Sequence, residues 1–112
     1  MKIRLIVSNE PTKYGFGQSP VELYGMAIAD IAGGFTASQA TGGWTDGDGE
    51  LIVEPVTVFD CTVPNTSPFH KPSEWRAKVK YDFVELATLI AGELLQGCVY
   101  LEIDGHEELV RQ

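Results

Sequence analysis

The stretch Trp75-Arg76-Ala77-Lys78-Val79-Lys80-Tyr81-Asp82-Phe83-Val84-Glu85-Leu86-Ala87-Thr88-Leu89-Ile90-Ala91-Gly92-Glu93-Leu94 governs how the rest of the chain is read. Trp75, Val79, Phe83, Leu86, Ile90 and Leu94 recur at spacings of four, four, three, four and four, the period of one helix face turned toward a core. Gly97 supplies a stop. Behind it Val99, Leu101 and Ile103 alternate with Tyr100, Glu102 and Asp104, the period of two expected of a strand with one buried face. The turn signal Asp104-Gly105 then lets residues 107–111 fold back as a short extra strand.

Upstream, residues 64–72 contain three prolines and read as a loop, with the helix starting from Ser73. Residues 51–63 read as a long strand whose alternation breaks. Leu51 and Val53 share one parity and Val56 and Val58 the other, with Pro55 between them, so a bulge or bend is expected there. Residues 35–39 read as another strand, joined to the long one by a glycine-rich connection over 41–50. Ser19-Pro20-Val21-Glu22 is a helix start with a Ser cap, a Pro at the first helical position and a Glu placed for a capping box. That helix is expected to run to about Ala32, with Leu23, Ala27 and Ile31 as its apolar stripe, Tyr24 and Ile28 flanking, and Gly33-Gly34 as its stop. Residues 10–18, with Pro11, Gly15 and Gly17, form a loop, and Ile3, Leu5 and Val7 alternate as the first strand.

The order strand, helix, strand, strand, helix, strand specifies an α+β, ferredoxin-like βαββαβ fold. Right-handed crossovers place both helices on one face of a four-stranded antiparallel sheet, with the fifth strand as an addition. The other face is left for solvent, a ligand or a second subunit, and Ile6 on that side hints at pairing. At 112 residues, 1–112 reads as a single domain.

The formal net charge is −8, and no Lys or Arg occurs between Tyr14 and His70, a span that holds Glu22, Asp30, Asp46, Asp48, Glu50, Glu54 and Asp60. Such a surface repels nucleic acid and anionic lipid and favours a basic protein surface as partner. No signal peptide and no apolar run long enough to span a membrane is seen, so a cytoplasmic location is expected. Cys61 and Cys98 fall in strands and read as small buried hydrophobes.

Four constellations bear on possible chemistry. In Gly42-Gly43-Trp44-Thr45-Asp46-Gly47-Asp48-Gly49-Glu50 the acids alternate with glycines, but a calcium loop counted from Asp46 would need Gly and Glu where Leu51 and Thr57 stand. A solvated hairpin tip is the reading taken. For Trp44, packing on a helix is the reading favoured, with an interaction anchor on this acidic segment as the alternative. Cys61 with His70 lacks a third, orienting group for a nucleophile and base, and His106 reads as an exposed turn residue. Tyr14 and Phe16 with their glycines complete no phosphate-binding fingerprint, and Lys71, Arg76, Lys78 and Lys80 read as the solvated face of the second helix. No catalytic residue, metal site or cofactor is assigned.

Gly34-Phe35-Thr36, Ala40-Thr41-Gly42-Gly43-Trp44, Gly49-Glu50-Leu51-Ile52-Val53-Glu54-Pro55-Val56 and the run from Gln96 through Asp104 resemble a pattern found in small proteins of unknown function from bacteriophages, prophages and plasmids. The resemblance implies an inhibitor of a host enzyme or defence system and carries no site residues with it. The expected function is therefore a non-enzymatic acidic binding protein that uses Trp44, Asp46, Asp48, Glu50, Glu54 and Asp60 against a basic partner. A small-molecule-binding or enzymatic ferredoxin-like domain and a homodimeric structural subunit are the alternatives.

Overall fold

The structure is a computed structural model that describes residues 1–10, 18–94 and 98–111. Its elements are β1 (Lys2–Ser8), α1 (Pro20–Ala32), β2 (Thr36–Thr45), β3 (Leu51–Thr62), α2 (Pro72–Glu93), β4 (Cys98–Ile103) and β5 (His106–Arg111). The strands form one open antiparallel sheet in the order β2-β3-β1-β4-β5, and both helices pack on the same face, as the βαββαβ order requires. The expected fifth strand is present beyond β4. Asp104 (φ 49°) and Gly105 (φ 86°) form its turn, both in the left-handed region that such tight hairpin connections use.

Alternation assigns the faces. Ile3, Leu5 and Val7 of β1, Phe59 and Cys61 of β3, and Val99 and Leu101 of β4 are buried toward the helices. They meet Tyr24 and Ile28 of α1 and Val79, Phe83, Ala87, Ile90 and Ala91 of α2 in one cluster. Phe59 and Phe83 are fully buried, and each is worth roughly 1.5–3 kcal/mol relative to an exposed side chain. Phe35 caps one end of the cluster, its ring edge-on to Phe59 at 5.3 Å between centroids.

The capping box at Ser19 forms in full: Ser19 Oγ accepts from the Glu22 N–H at 3.2 Å, and Glu22 accepts from the Ser19 N–H at 3.3 Å. The buried face of α1 is turned by one position from the expected stripe, since Tyr24 and Ile28 lead and Leu23 and Ile31 are only partly covered. Tyr24 faces inward because its hydroxyl finds an acceptor there, Glu93 Oε2 of α2 at 2.7 Å. Helix α2 begins at Pro72 with no side-chain cap and reaches Glu93. The predicted stop at Gly97, like the Tyr14 and Phe16 loop, lies outside the described residues.

Two expectations change. Strand β2 does not end at Gln39 but runs through the glycine-rich segment to Thr45, leaving only the turn around residues 46–50 as connection. No bulge forms at Pro55 either: the register from Thr36↔Asp60 to Thr45↔Leu51 is unbroken, as is that from Lys2↔Thr62 to Ser8↔Val56. Antiparallel pairs alternate between bonded and non-bonded. The Asp46 N–H donates to the Glu50 carbonyl at 2.9 Å, so Thr41↔Pro55 falls in a non-bonded pair. Pro55 therefore withholds no donor from β2, and its carbonyl, aimed the other way, accepts from the Asn9 N–H at 3.0 Å.

Candidate functional site

Because β2 and β3 continue past the helices, their distal half forms an arm, and the Cα trace is 49 Å along its longest axis against 29 and 23 Å across it. Leu51 and Val53 share the parity of Phe59 and Cys61 but are 68% and 57% exposed, because no helix lies over them. The proximal half of β3 buries Phe59 and Cys61 under the helices, while Val56 and Val58 of the other parity lie on the opposite face, where Val56 is still buried and Val58 half-buried.

A polar knot marks where the helix-covered core ends. Thr57 is fully buried at a core-facing position, and its hydroxyl donates to Asn9 Oδ1 at 2.6 Å and accepts from Gln39 Nε2 at 3.1 Å. Asn9 Nδ2 closes the ring on Gln39 Oε1 at 2.7 Å. A hydroxyl at a core-parity position was the one sequence signal of this boundary.

The arm ends in a turn built by Asp46. Its Oδ1 accepts from the N–H groups of Asp48 (2.9 Å) and Glu50 (3.0 Å), its carbonyl accepts from the Gly49 N–H (3.0 Å), and Gly49 takes φ 79°. That is a three-residue hairpin loop closed by a glycine in the left-handed region. Asp46 is thus committed to the turn, while Asp48 and Glu50 are exposed beside it. Trp44 pairs with Ile52 and points to the face away from the helices, 37% exposed, which overturns the expectation that it packs on a helix. Gly42 lies on the same face, and a Cβ there would press on Val56 Cγ1 at 3.0 Å, closer than side chains ordinarily pack.

The remaining acids of the expected cluster lie elsewhere. Glu54 Oε2 accepts from Ser8 Oγ at 2.9 Å. Asp60 is ten residues along β3 from Glu50, a separation of roughly 33 Å at strand rise. There it pairs with Arg4 Nε at 2.8 Å, and this partner raises the guanidinium pKa. The structure brings Trp44, Asp46, Asp48 and Glu50 together and leaves Glu54 and Asp60 outside that group.

On the open face two rows run across the sheet. Leu109, Tyr100, Ile6 and Val58 are cross-strand neighbours in one, and Glu107, Glu102, Arg4, Asp60 and Thr36 in the next. Desolvation, followed by Glu107 and Glu102, pushes the Tyr100 hydroxyl up to about 12. The polar row borders a shallow depression of about 400 Å³ that also touches Lys2 and Thr62.

Cys61 and His70 do not form a catalytic pair. Burial, followed by the charge of Asp60, pushes the Cys61 thiol up to about 11, opposite to what a nucleophilic thiolate needs. His70 is exposed and tilted over Trp75, with ring centroids 5.4 Å apart. Among the described residues no three His, Cys, Asp or Glu side chains converge as a metal site, and no helix is long and apolar enough to cross a membrane. No protein-family model, curated protein or solved structure matches the chain.

Proposed function

We propose that the protein is a non-enzymatic acidic binding protein that meets a basic protein surface with the end of its β2–β3 arm. The carrying observation is the conjunction of an exposed Trp44 with exposed Asp48 and Glu50 on a hairpin that extends past the helix layer. A large aromatic supplies contact area at little entropic cost, and acids around it orient a cationic partner and speed encounter. The absence of any base from Tyr14 to His70 supports the sign of that partner. The inhibitor role and the setting in a phage or mobile element rest on the resemblance of the glycine-rich segments alone, and the cytoplasmic location on the sequence.

A photo-reactive residue placed at position 44, with one at exposed Leu89 of α2 as control, tests this in lysate of the source cell. The reading expects a basic protein cross-linked from position 44 only. The yield falls as salt screens the pair and in Asp48→Asn/Glu50→Gln. Equal adducts from both positions, or adducts indifferent to salt and to the double substitution, reject it.

A further inference from the structure

The sheet has two edges of different character. The β5 edge is six residues long and carries Glu107, Glu108 and Arg111. The β2 edge, Thr-Ala-Ser-Gln-Ala-Thr-Gly-Gly-Trp-Thr over Thr36–Thr45, is ten residues long with no charge and no proline. Charged side chains, prolines and short length are the means by which proteins keep a strand edge from pairing, and β2 has none of them.

Among the described residues, the ladder also says which backbone groups of β2 have no strand beside them. With Asp46–Glu50 a bonded pair, the even-numbered residues of β2 bond to β3, and Ala37, Gln39, Thr41, Gly43 and Thr45 direct their N–H and C=O groups outward. These five are symmetric about Thr41. An antiparallel copy of the same strand, related by a two-fold axis at Thr41, pairs 41 with 41, 39 with 43 and 37 with 45, so every outward N–H meets an outward C=O of the copy. Gly43, unlike Gly42, has ordinary room for a side chain, its nearest neighbours lying 3.7 Å from a built Cβ. Its bareness is not required within the protomer and suits an approaching backbone.

We infer that β2 pairs with β2 of a second copy about this axis, joining two five-stranded sheets into one continuous sheet. Charge selects the occupant. A two-fold contact sets each side chain against a copy of itself or of a near neighbour, which in a chain of net charge −8 penalises most surfaces. Strand β2 is free of that penalty. It equally offers no acid of its own to select a basic strand from another protein. The pairing lays each arm along the base of its partner, with Leu51 and Val53 on the same side of the joint sheet as the partner's helices. It leaves Trp44, Asp48 and Glu50 on the opposite face or at the turn, so the inference is independent of the basic-partner reading.

Sedimentation equilibrium of the full chain is the test, with circular dichroism to check folding. Thr41→Pro removes an outward donor without touching the β3 ladder and is expected to weaken the dimer roughly tenfold or more. Thr41→Lys and Thr41→Glu each set like charges face to face and weaken self-association, while their mixture recovers a heterodimer. The charge pair reads the same contact if the proline variant fails to fold. A wild-type chain that stays monomeric into the high-micromolar range overturns the inference. So does a dimer unaffected by the charge substitutions, or a mixture that associates no better than its components.

Discussion

Strand β3 runs through two environments. Over residues 56–60 it lies between β1 and β2, and Phe59 there and Cys61 just beyond are sealed under the helices. Over residues 51–53 its registered neighbour is β2, and Leu51 and Val53, on the same side as Phe59, stand open. The two halves are alike in apolar content. Apolar side chains stabilise a fold in proportion to the area they remove from water, so the proximal half holds the protein together and the distal half adds little to its stability.

Truncating one residue in each half should separate the two environments most clearly. Phe59→Ala is expected to cost about 3–5 kcal/mol in guanidinium unfolding, the range for deleting a buried aromatic. Leu51→Ala, in protein dilute enough to be monomeric, is expected to cost under about 0.5 kcal/mol. Similar losses would erase the distinction between core and arm.

A smaller effect probes how the covered half is tied down. Tyr24→Phe removes the hydroxyl bond to Glu93 and is expected to cost about 1.5 kcal/mol at neutral pH. Burial, and then Glu93, raise the Tyr24 hydroxyl above its ordinary value of 10.0, so the folded chain keeps this proton longer than the unfolded chain does. The contribution is whole below pH 10 and is lost as pH climbs above it. Unfolding midpoints followed from pH 8 upward should therefore fall more steeply in the wild type than in Tyr24→Phe. Parallel curves would show that the bond is not made.

Ser19→Ala, which opens the capping box of α1, is expected to cost about 1 kcal/mol, again by denaturant unfolding. Thiol labelling separates the layers without any substitution. Cys98, partly exposed, should react in the folded protein, whereas Cys61, buried with its thiol pushed up to about 11, should react only as the chain unfolds. Rapid labelling of Cys61 would mean that the covered half of β3 opens on its own.

Much of the fold could be read from local patterns. The stripe of α2, the Ser19 capping box, the alternation in β1 and β4 and the Asp104-Gly105 turn each express a preference that neighbours along the chain satisfy. Strand β2 is hidden in the glycine-rich segment because Gly42 and Gly43 have low strand propensity, and only the closeness of Val56 to Gly42 and the pairing with β3 show why they belong in a strand. Pro55 was expected to bend β3 because a sequence does not tell which neighbour a backbone donor would face. Of the candidate site, Trp44 and the turn acids were found together. Glu54 and Asp60 were grouped with them only because charge was counted along the chain and not across the sheet.

Side-chain period and composition alone set the order of elements, the parity of the buried face in β1 and β4 and the sign of the net charge. Tertiary structure alone decided that the helices stop short of the β2–β3 hairpin, that Leu51 and Val53 are thereby exposed while Phe59 is not, and that uncharged β2 is an edge. Cover and edge position depend on which elements lie beside a strand, and that is set by packing between segments distant in sequence.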